Sequence, residues 1–244
     1  MVNKVAKICG LKDQEAARVA IDSGANLVGV ILVPGRKRTV DADQAMQIAQ
    51  LCQDRRQKLD RVHQTSKELL KIARESKLTG SNWFDYCAQL IIENGPFLVG
   101  VFRNQSLKEV IEISHRLNLD FVQLHGSEDI EEYASAIDLP VIARFVLQSD
   151  NIELAVETHR HFLTLLDSEV GGEGHLINWT NASEFYSKLD GRFILAGGLT
   201  PENVGRAVNV DGCVGVDVSG GVETQGVKDP KKIQRFLTIV KNII

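Results

Sequence analysis

Eight short apolar runs recur along the whole sequence and constrain the fold more than any other feature. Each run has the length of a β-strand, is rich in β-branched residues and lacks strict alternation of apolar and polar positions. Such continuous apolar character is typical of parallel strands that are covered on both faces or closed into a barrel. The runs occupy residues 5–9, 27–33, 97–102, 121–126, 141–146, 162–167, 193–198 and 213–218.

Helix-like stretches with apolar residues at three- and four-residue spacing lie between these runs. Several begin with a residue that can cap a first turn, such as Asp13, Asp41 and Ser106. Strand and helix therefore alternate, which predicts the α/β class and, with eight repeats, a (β/α)8 TIM barrel. A doubly wound open sheet is the competing architecture, but it commonly has fewer strands and no G-x-G-x-x-G follows the first run. The helical stretches include 13–24, 41–52, 106–117, 128–137, 201–210 and 229–243.

The second and third runs begin about 70 residues apart, which leaves an insertion at residues 53–95. Its first part has helical spacing, with charged residues between the apolar ones. Because the insertion precedes a strand, we expect it on the N-terminal face of the barrel, away from the loops that carry catalysis. We therefore predict a single barrel domain over 1–244, with a structural or interaction role for the insertion.

Composition excludes several classes of protein. The formal net charge of −4 provides no basic field for a nucleic-acid backbone. No apolar run approaches the roughly 20 residues of a membrane helix, and the start is too short in apolar residues for a secretory signal. Four widely separated cysteines predict reduced thiols and neither a disulfide framework nor a zinc site. We expect a cytoplasmic protein that binds no metal, membrane or nucleic acid.

Two titratable residues stand out because catalytic groups of a barrel lie at the C-terminal ends of its strands. Cys9 ends the first run, and it is either a base or a buried apolar residue. Asp167 ends the sixth run and precedes SEVGGEG, a loop that could cover a ligand. A partly desolvated carboxyl there could keep a proton for general-acid work, or it could pair with an arginine.

Small residues follow the last two runs, where barrels commonly hold phosphate. Backbone amides in such turns can approach an anion closely, and two paired sites predict a phosphorylated ligand. The alternative is that the glycines only permit tight turns. The residues concerned are Gly197, Gly198, Ser219, Gly220 and Gly221.

Four further polar residues lie at strand ends. Arg38 could hold a carboxylate through its guanidinium fork, or it could belong to a solvated loop. His125, with Gln123 before it, could contact a ligand or be a satisfied structural histidine. Asp217 could contact substrate or fix the adjoining turn.

Taken together, these motifs resemble the phosphoribosylanthranilate isomerase family of tryptophan biosynthesis, and most closely its separate fungal form. The resemblance runs in order from residue 5 to the C-terminus except for the insertion. The combination of KICG with QLHG and GVDVSGGVE is specific to this family. The other matching segments are PGRKRTV, VGVFRNQ, LLDSEVGGEG with INW, and LAGGLTPENV.

The resemblance implies an Amadori rearrangement of N-(5-phosphoribosyl)anthranilate, a small phosphosugar, without a cofactor. It assigns the general base to Cys9 and the general acid to Asp167, and it gives Arg38 the anthranilate carboxylate. Gln123, His125 and Asp217 would line the pocket, and phosphate would lie on the glycine amides. We expect a monomer in preference to a dimer.

Two alternatives remain open at this point. One is another phosphosugar barrel, notably the histidine-pathway isomerase, which is expected to use two aspartates where this chain has Cys9 and Asp167. The other is a catalytically silent barrel that binds a phosphorylated metabolite and uses the insertion to engage a partner.

Overall fold

Eight parallel strands close into a barrel in chain order in the computed structural model, which describes residues 3–168 and 178–242. Each strand pairs with its sequence neighbours, and β8 pairs with β1 to close the ring. The predicted (β/α)8 barrel is therefore confirmed. The strands are β1 (Val5–Ile8), β2 (Leu27–Ile31), β3 (Phe97–Phe102), β4 (Phe121–Leu124), β5 (Val141–Val146), β6 (Leu163–Asp167), β7 (Phe193–Leu195) and β8 (Cys213–Val218).

Helices surround the barrel and begin where the sequence places capping residues. The carboxylates of Asp13, Asp41 and Asp229 accept hydrogen bonds from first-turn amides, and Ser106 forms a reciprocal capping box with Glu109. The helices are α1 (Gln14–Asp22), α2 (Ala42–Lys58), α3 (Ser66–Glu75), α4 (Ser81–Asn94), α5 (Leu107–Arg116), α6 (Ile130–Ala136), α7 (Trp179–Leu189), α8 (Val204–Ala207) and α9 (Pro230–Lys241). None of these helices combines the length and apolar character needed to cross a membrane.

Two repeats depart from the predicted pattern. The helix expected over 201–210 contracts to the single turn of α8, and just before it the Asn203 side chain accepts from the Thr200 amide and donates to the Gly198 carbonyl. Valines and a glycine in this stretch also lower its helix propensity. After β5, a 3₁₀ segment at Ile152–Val156 stands where a regular barrel has an α-helix.

Alternate residues of the strands pack into two separate apolar layers. Outward-facing residues such as Ala6 and Ile8 pack under the helices. Inward-facing residues such as Val5 and Leu165 fill the barrel interior. Because the side-chain period of a strand is two, the inward positions continue upward to Lys7 and Cys9 on β1 and to Asp167 on β6. The interior is therefore apolar at its base and polar at its C-terminal mouth.

The inserted segment forms α3 and α4, and α4 packs against β1, β6 and β8. Trp83, Phe84 and Leu69 are buried and belong to the same apolar cluster as the barrel interior. The Trp83 indole N–H donates to the His161 carbonyl, 3.2 Å away, just before β6 begins. These contacts close the N-terminal end of the barrel. The assignment of the whole chain to one domain stays a prediction.

A buried arginine fastens α2 to the same end of the barrel. Arg56 donates to both carboxylate oxygens of Asp120, at 3.0 and 3.1 Å, and to the Pro96 carbonyl at 2.7 Å. Its guanidinium lies 4.7 Å from the centre of the Phe97 ring. Asp120 also accepts from the Leu98 amide. Arg56 is thus a charged residue of the insertion whose side chain is buried against the barrel.

We predict that Trp83→Ala destabilises the fold by about 3–5 kcal/mol, as expected for truncating a fully buried aromatic side chain. Urea unfolding followed by circular dichroism measures the change. The matched control is Val62→Ala, because Val62 is an apolar residue of the same segment that is 84% exposed. Equal stability of the two variants would contradict a stabilising contribution of Trp83 to the packing of the barrel interior.

Candidate active site

A lysine and a cysteine occupy successive inward positions at the top of β1. Lys7 lies opposite Asp217 in the β1–β8 register, and its Nζ is 3.0 Å from the Asp217 carboxylate. Lys7 is wholly buried, and Cys9 is 6% exposed. The Cys9 amide donates to the Val218 carbonyl at 2.8 Å, so the backbone fixes the thiol at the mouth.

A glycine on β2 makes room for this pair. A Cβ atom added to Gly29 would lie 2.8 Å from the Cys9 sulfur and 3.2 Å from the Lys7 nitrogen. The first distance is shorter than van der Waals contact allows. The missing side chain of Gly29 therefore lets both groups approach the same point of the wall.

The charges around Cys9 act in opposite directions. Burial raises the pKa of the thiol, and Asp217 raises it further. The positive charges of Lys7 and, to a smaller extent, Lys228 lower it. Of these two lysines, Lys7 is the one whose ammonium group shares with the Cys9 sulfur the space beside Gly29.

Asp167 ends β6 inside the mouth and is 5% exposed. The Ser168 amide donates to one carboxylate oxygen at 2.8 Å. The other oxygen lies 3.7 Å from Arg144 Nε and 3.5 Å from His125 Nε2. Burial raises the pKa of Asp167, whereas the Ser168 amide and Arg144 oppose the rise. The carboxyl is therefore desolvated and also faces an arginine.

Gln123 and His125 follow one another along the inward face of β4. The Gln123 amide nitrogen lies 3.3 Å from His125 Nδ1. With the Gln123 amide in this orientation its nitrogen donates to Nδ1, and this arrangement corresponds to the tautomer with the ring proton on Nε2, which faces Asp167. Burial, aided by Arg144, Lys7 and Arg103, lowers the pKa of His125 to about 3. The ring is therefore a neutral donor at neutral pH.

Arg38 reaches the mouth from the loop after β2, where Glu223 holds it. The Arg38 Nε donates to a Glu223 oxygen at 2.9 Å, and Lys228 Nζ donates to the same oxygen at 2.9 Å. Lys228 also donates to the Ser219 carbonyl at 2.8 Å. Glu223 and Lys228 belong to a short hairpin of β9 (Glu223–Thr224) and β10 (Val227–Lys228). Although burial raises it, Lys228 and Arg38 hold the pKa of Glu223 below its usual range.

The glycine loops after β7 and β8 touch each other. Gly197 and Gly198 have φ angles of +80° and +63°, which favour glycine. A Cβ at Gly221 would lie 1.8 Å from the Leu199 carbonyl oxygen, so this glycine permits loop-to-loop contact. Within the described residues, the amides of Gly197, Gly198, Gly220 and Gly221 donate to no backbone or side-chain acceptor. Two adjacent loops thus present free N–H donors.

A family model described as N-(5'-phosphoribosyl)anthranilate (PRA) isomerase matches residues 52–239. A protein of that name from Wickerhamomyces anomalus is 45% identical over 240 residues, covering 98% of this chain and 99% of that protein. The Candida albicans protein of that name is 49% identical over 239 residues, covering 96% of each. The chain belongs to the N-(5'-phosphoribosyl)anthranilate isomerase family.

Solved structures of this family share the barrel. The enzyme from Thermus thermophilus superposes with a TM-score of 0.72 at 26% identity, covering 98% of this chain and 99% of that one. A second family structure, with a TM-score of 0.67 at 26% identity and 99% coverage of both chains, is a complex with reduced 1-(o-carboxyphenylamino)-1-deoxyribulose 5-phosphate.

Most of the predicted site residues converge on this one mouth. Cys9, Asp217, Asp167, His125 and Gln123 lie along its inner wall, and Arg38 stands beside the Ser219 loop. The loop predicted to cover a ligand falls largely in residues 169–177, which lie outside the described residues.

Sequence reasoning overlooked Gly29, Glu223 and Lys228, whose roles depend on partners far away in sequence. It left Lys7 open as one of three cations, with Arg36 and Arg38, that could lie near the Cys9 sulfur. The alternation of inward positions on β1 could have identified Lys7, which is two residues before Cys9. The remaining cysteines, Cys52, Cys87 and Cys213, are buried thiols whose pKa values are raised by burial.

We predict that Glu223→Gln raises KM about tenfold with little change in kcat, because the charge that holds Arg38 and Lys228 together is removed. Steady-state kinetics of the family reaction measure both constants. Glu202→Gln is the matched control, since Glu202 pairs with Arg235 at 2.8 Å on the exposed surface. Unchanged KM in Glu223→Gln would show that the hairpin does not organise substrate binding.

Proposed function

We propose that the chain converts N-(5-phosphoribosyl)anthranilate into 1-(2-carboxyphenylamino)-1-deoxy-D-ribulose 5-phosphate, an isomerisation of tryptophan biosynthesis. Membership of the family supports this reaction. The observation that carries the proposal is the presence of one thiol and one desolvated carboxyl in the same barrel mouth. The two groups suit opposite proton transfers.

Asp167 is the general acid in this proposal. Its raised pKa favours the protonated carboxyl, which can donate to the ring oxygen of the ribose. The bond from C1′ to that oxygen then breaks, and the nitrogen lone pair forms the C1′=N bond of a Schiff base. The neutral His125, 3.5 Å away, can donate to the carboxylate that this step leaves behind.

Cys9 is the general base for the second step. As a thiolate it removes the proton from C2′, the electrons of that C–H bond form the C1′=C2′ bond of an enolamine, and the π electrons of the C1′=N bond return to the nitrogen. Tautomerisation to the C2′ ketone returns a proton to C1′. C1′ is thereby reduced and C2′ oxidised within one molecule, so the reaction balances without an external oxidant. That no cofactor is needed stays a prediction.

The remaining contacts divide between the two anionic ends of the substrate. Arg38 is proposed to bind the anthranilate carboxylate, with Glu223 and Lys228 holding it in place. The phosphate is proposed to bind the free amides of Gly197, Gly198, Gly220 and Gly221, together with Ser219. Gln123, His125 and Asp217 line the pocket between these ends. One buried oxygen of Asp217 has no partner in the described part of the chain.

The test is consumption of N-(5-phosphoribosyl)anthranilate by the purified chain, followed as loss of its anthranilate-type fluorescence. We expect Cys9→Ser and Asp167→Asn each to lower turnover by at least the ~10²-fold typical of a positioned acid or base. Asp138→Asn is the control, because Asp138 is a half-exposed surface residue that pairs with Lys67. A folded but inert wild-type chain would refute the reaction, and normal turnover in either active-site variant would refute that residue's role.

We also propose that the enzyme acts as a monomer in the cytoplasm. Among the described residues, four large apolar side chains are exposed, those of Met46, Leu59, Val62 and Val227. So few exposed apolar side chains support a surface without a large interface. The four free thiols suit a reducing compartment. A dimeric family member is known from Thermotoga maritima. Light scattering during gel filtration is expected to give the mass of one chain, and twice that mass would contradict the monomer.

A further inference from the structure

Lys7 is a buried charge that the acid–base scheme above does not use. It is wholly buried, and burial of an ammonium group without compensation is costly. Asp217 compensates part of that cost at 3.0 Å. An ion pair of this kind could serve stability alone, so its relation to Cys9 decides its role.

The geometry brings the ammonium group to the thiol as well as to the carboxylate. Cys9 directly follows β1, two residues after Lys7, and the two side chains face the same side. Because Gly29 has no Cβ, the Cys9 sulfur and the Lys7 nitrogen both lie against the same part of the barrel wall. They are 2.8 and 3.2 Å from the position that a Cβ atom of Gly29 would occupy. A purely structural ion pair would not require this shared space.

We infer that Lys7 is a positioning residue that stabilises the Cys9 thiolate, and that Asp217 sets the strength of this effect by sharing the same ammonium group. The inference rests on the proposed role of Cys9 as base. Lys7 stays protonated throughout, because Asp217 and Cys9 raise its pKa despite burial. It therefore acts through its charge and transfers no proton.

Among the described residues, the other titratable groups that face Cys9 and Lys7 are Asp217, Lys228, Asp167 and His125. Asp217 approaches from β8, and Lys228 approaches from β10. Asp167 faces the pair from β6, where Lys7 lowers its pKa and Asp217 raises it. Lys228 is already neutralised by Glu223 at 2.9 Å. Lys7 is thus the cation whose removal changes the charge at the sulfur most directly.

Substitutions of Lys7 and of Asp217 are expected to shift the pH at which Cys9 ionises in opposite directions, which a purely structural ion pair does not predict. Lys7→Met removes the cation and is expected to raise the pH at which Cys9 ionises by about 1–3 units. Asp217→Asn frees the ammonium group from its carboxylate and is expected to lower that pH. In Lys7→Met/Asp217→Asn no buried charge is left unpaired, and ionisation is expected to remain above the wild-type pH.

The experiment measures the alkylation rate of Cys9 by iodoacetamide against pH in the free enzyme, with the modified peptide identified by mass spectrometry. Cys52, Cys87 and Cys213 serve as internal controls because they are at most 1% exposed, whereas Cys9 is 6% exposed at the barrel mouth. Lys12→Met is the matched control, since Lys12 lies in the exposed loop after β1. The high-pH limb of kcat/KM, which reports the same ionisation, is expected to move with the alkylation profile.

The outcomes separate this inference from the proposed function. Opposite shifts in the single variants, with a raised midpoint in the double variant, support the inference even if the wild-type chain does not turn over substrate. Wild-type alkylation profiles in folded Asp217→Asn and in the double variant would overturn it, whatever the turnover. Should Lys7→Met not fold, those two variants still decide the matter.

Discussion

Closing eight parallel strands into a ring forces every second side chain into one enclosed interior, and the rest of the structure depends on this constraint. The interior positions cannot all be apolar, because those at the strand ends have to bind and transform a ligand. The character of the interior therefore changes along the barrel axis. Residues such as Val5 and Leu165 fill the lower layers, and the next inward positions on the same strands are Lys7 and Asp167.

Enclosure also explains why the charged groups of the mouth occur in partnered sets. A charge removed from water needs a counter-charge or several hydrogen bonds. Lys7 has Asp217, and Glu223 has both Arg38 and Lys228. Asp167 is the least compensated of these groups, since its cationic neighbour is 3.7 Å away. Because opposite charge compensates it weakly, the Asp167 carboxyl is costly to ionise. For the same reason it is suited to hold a proton.

Much of this architecture could be predicted from the sequence, because strands of a closed barrel are apolar on both faces and stand out as runs. The predicted boundaries differ from the observed ones mainly at the C-terminal ends, where β2 stops at Ile31 and β7 at Leu195. At these two ends the chain leaves the strand and enters a loop of the site, although its residues are still apolar. The helix expected over 201–210 is shorter in the structure, and the Asn203 side-chain bonds that precede it are not revealed by periodicity.

The candidate site was predictable as a set of positions but not as a set of partners. Strand ends identify Cys9 and Asp167 as belonging to one mouth, since topology alone brings strand ends together. Pairings such as Lys7 with Asp217 join residues 210 positions apart, and they depend on register. Gly29 is still harder to foresee, because its significance lies in the side chain that it lacks. Arg56 is similarly concealed, as a charged residue within a charged helix.

The closure of the barrel base by α4 has a consequence for the order in which the chain can be completed. Helix α4 is encoded before β3, yet it covers ends of β6 and β8, which are made much later. During synthesis the part of its apolar face that contacts the start of β6, including Trp83 and Phe84, lacks this partner until the second half of the chain is being made. Such contacts between distant segments slow folding and leave apolar surface exposed in the meantime. The inserted helices that seal the finished barrel are thus a surface through which the nascent chain is exposed to aggregation and to chaperones.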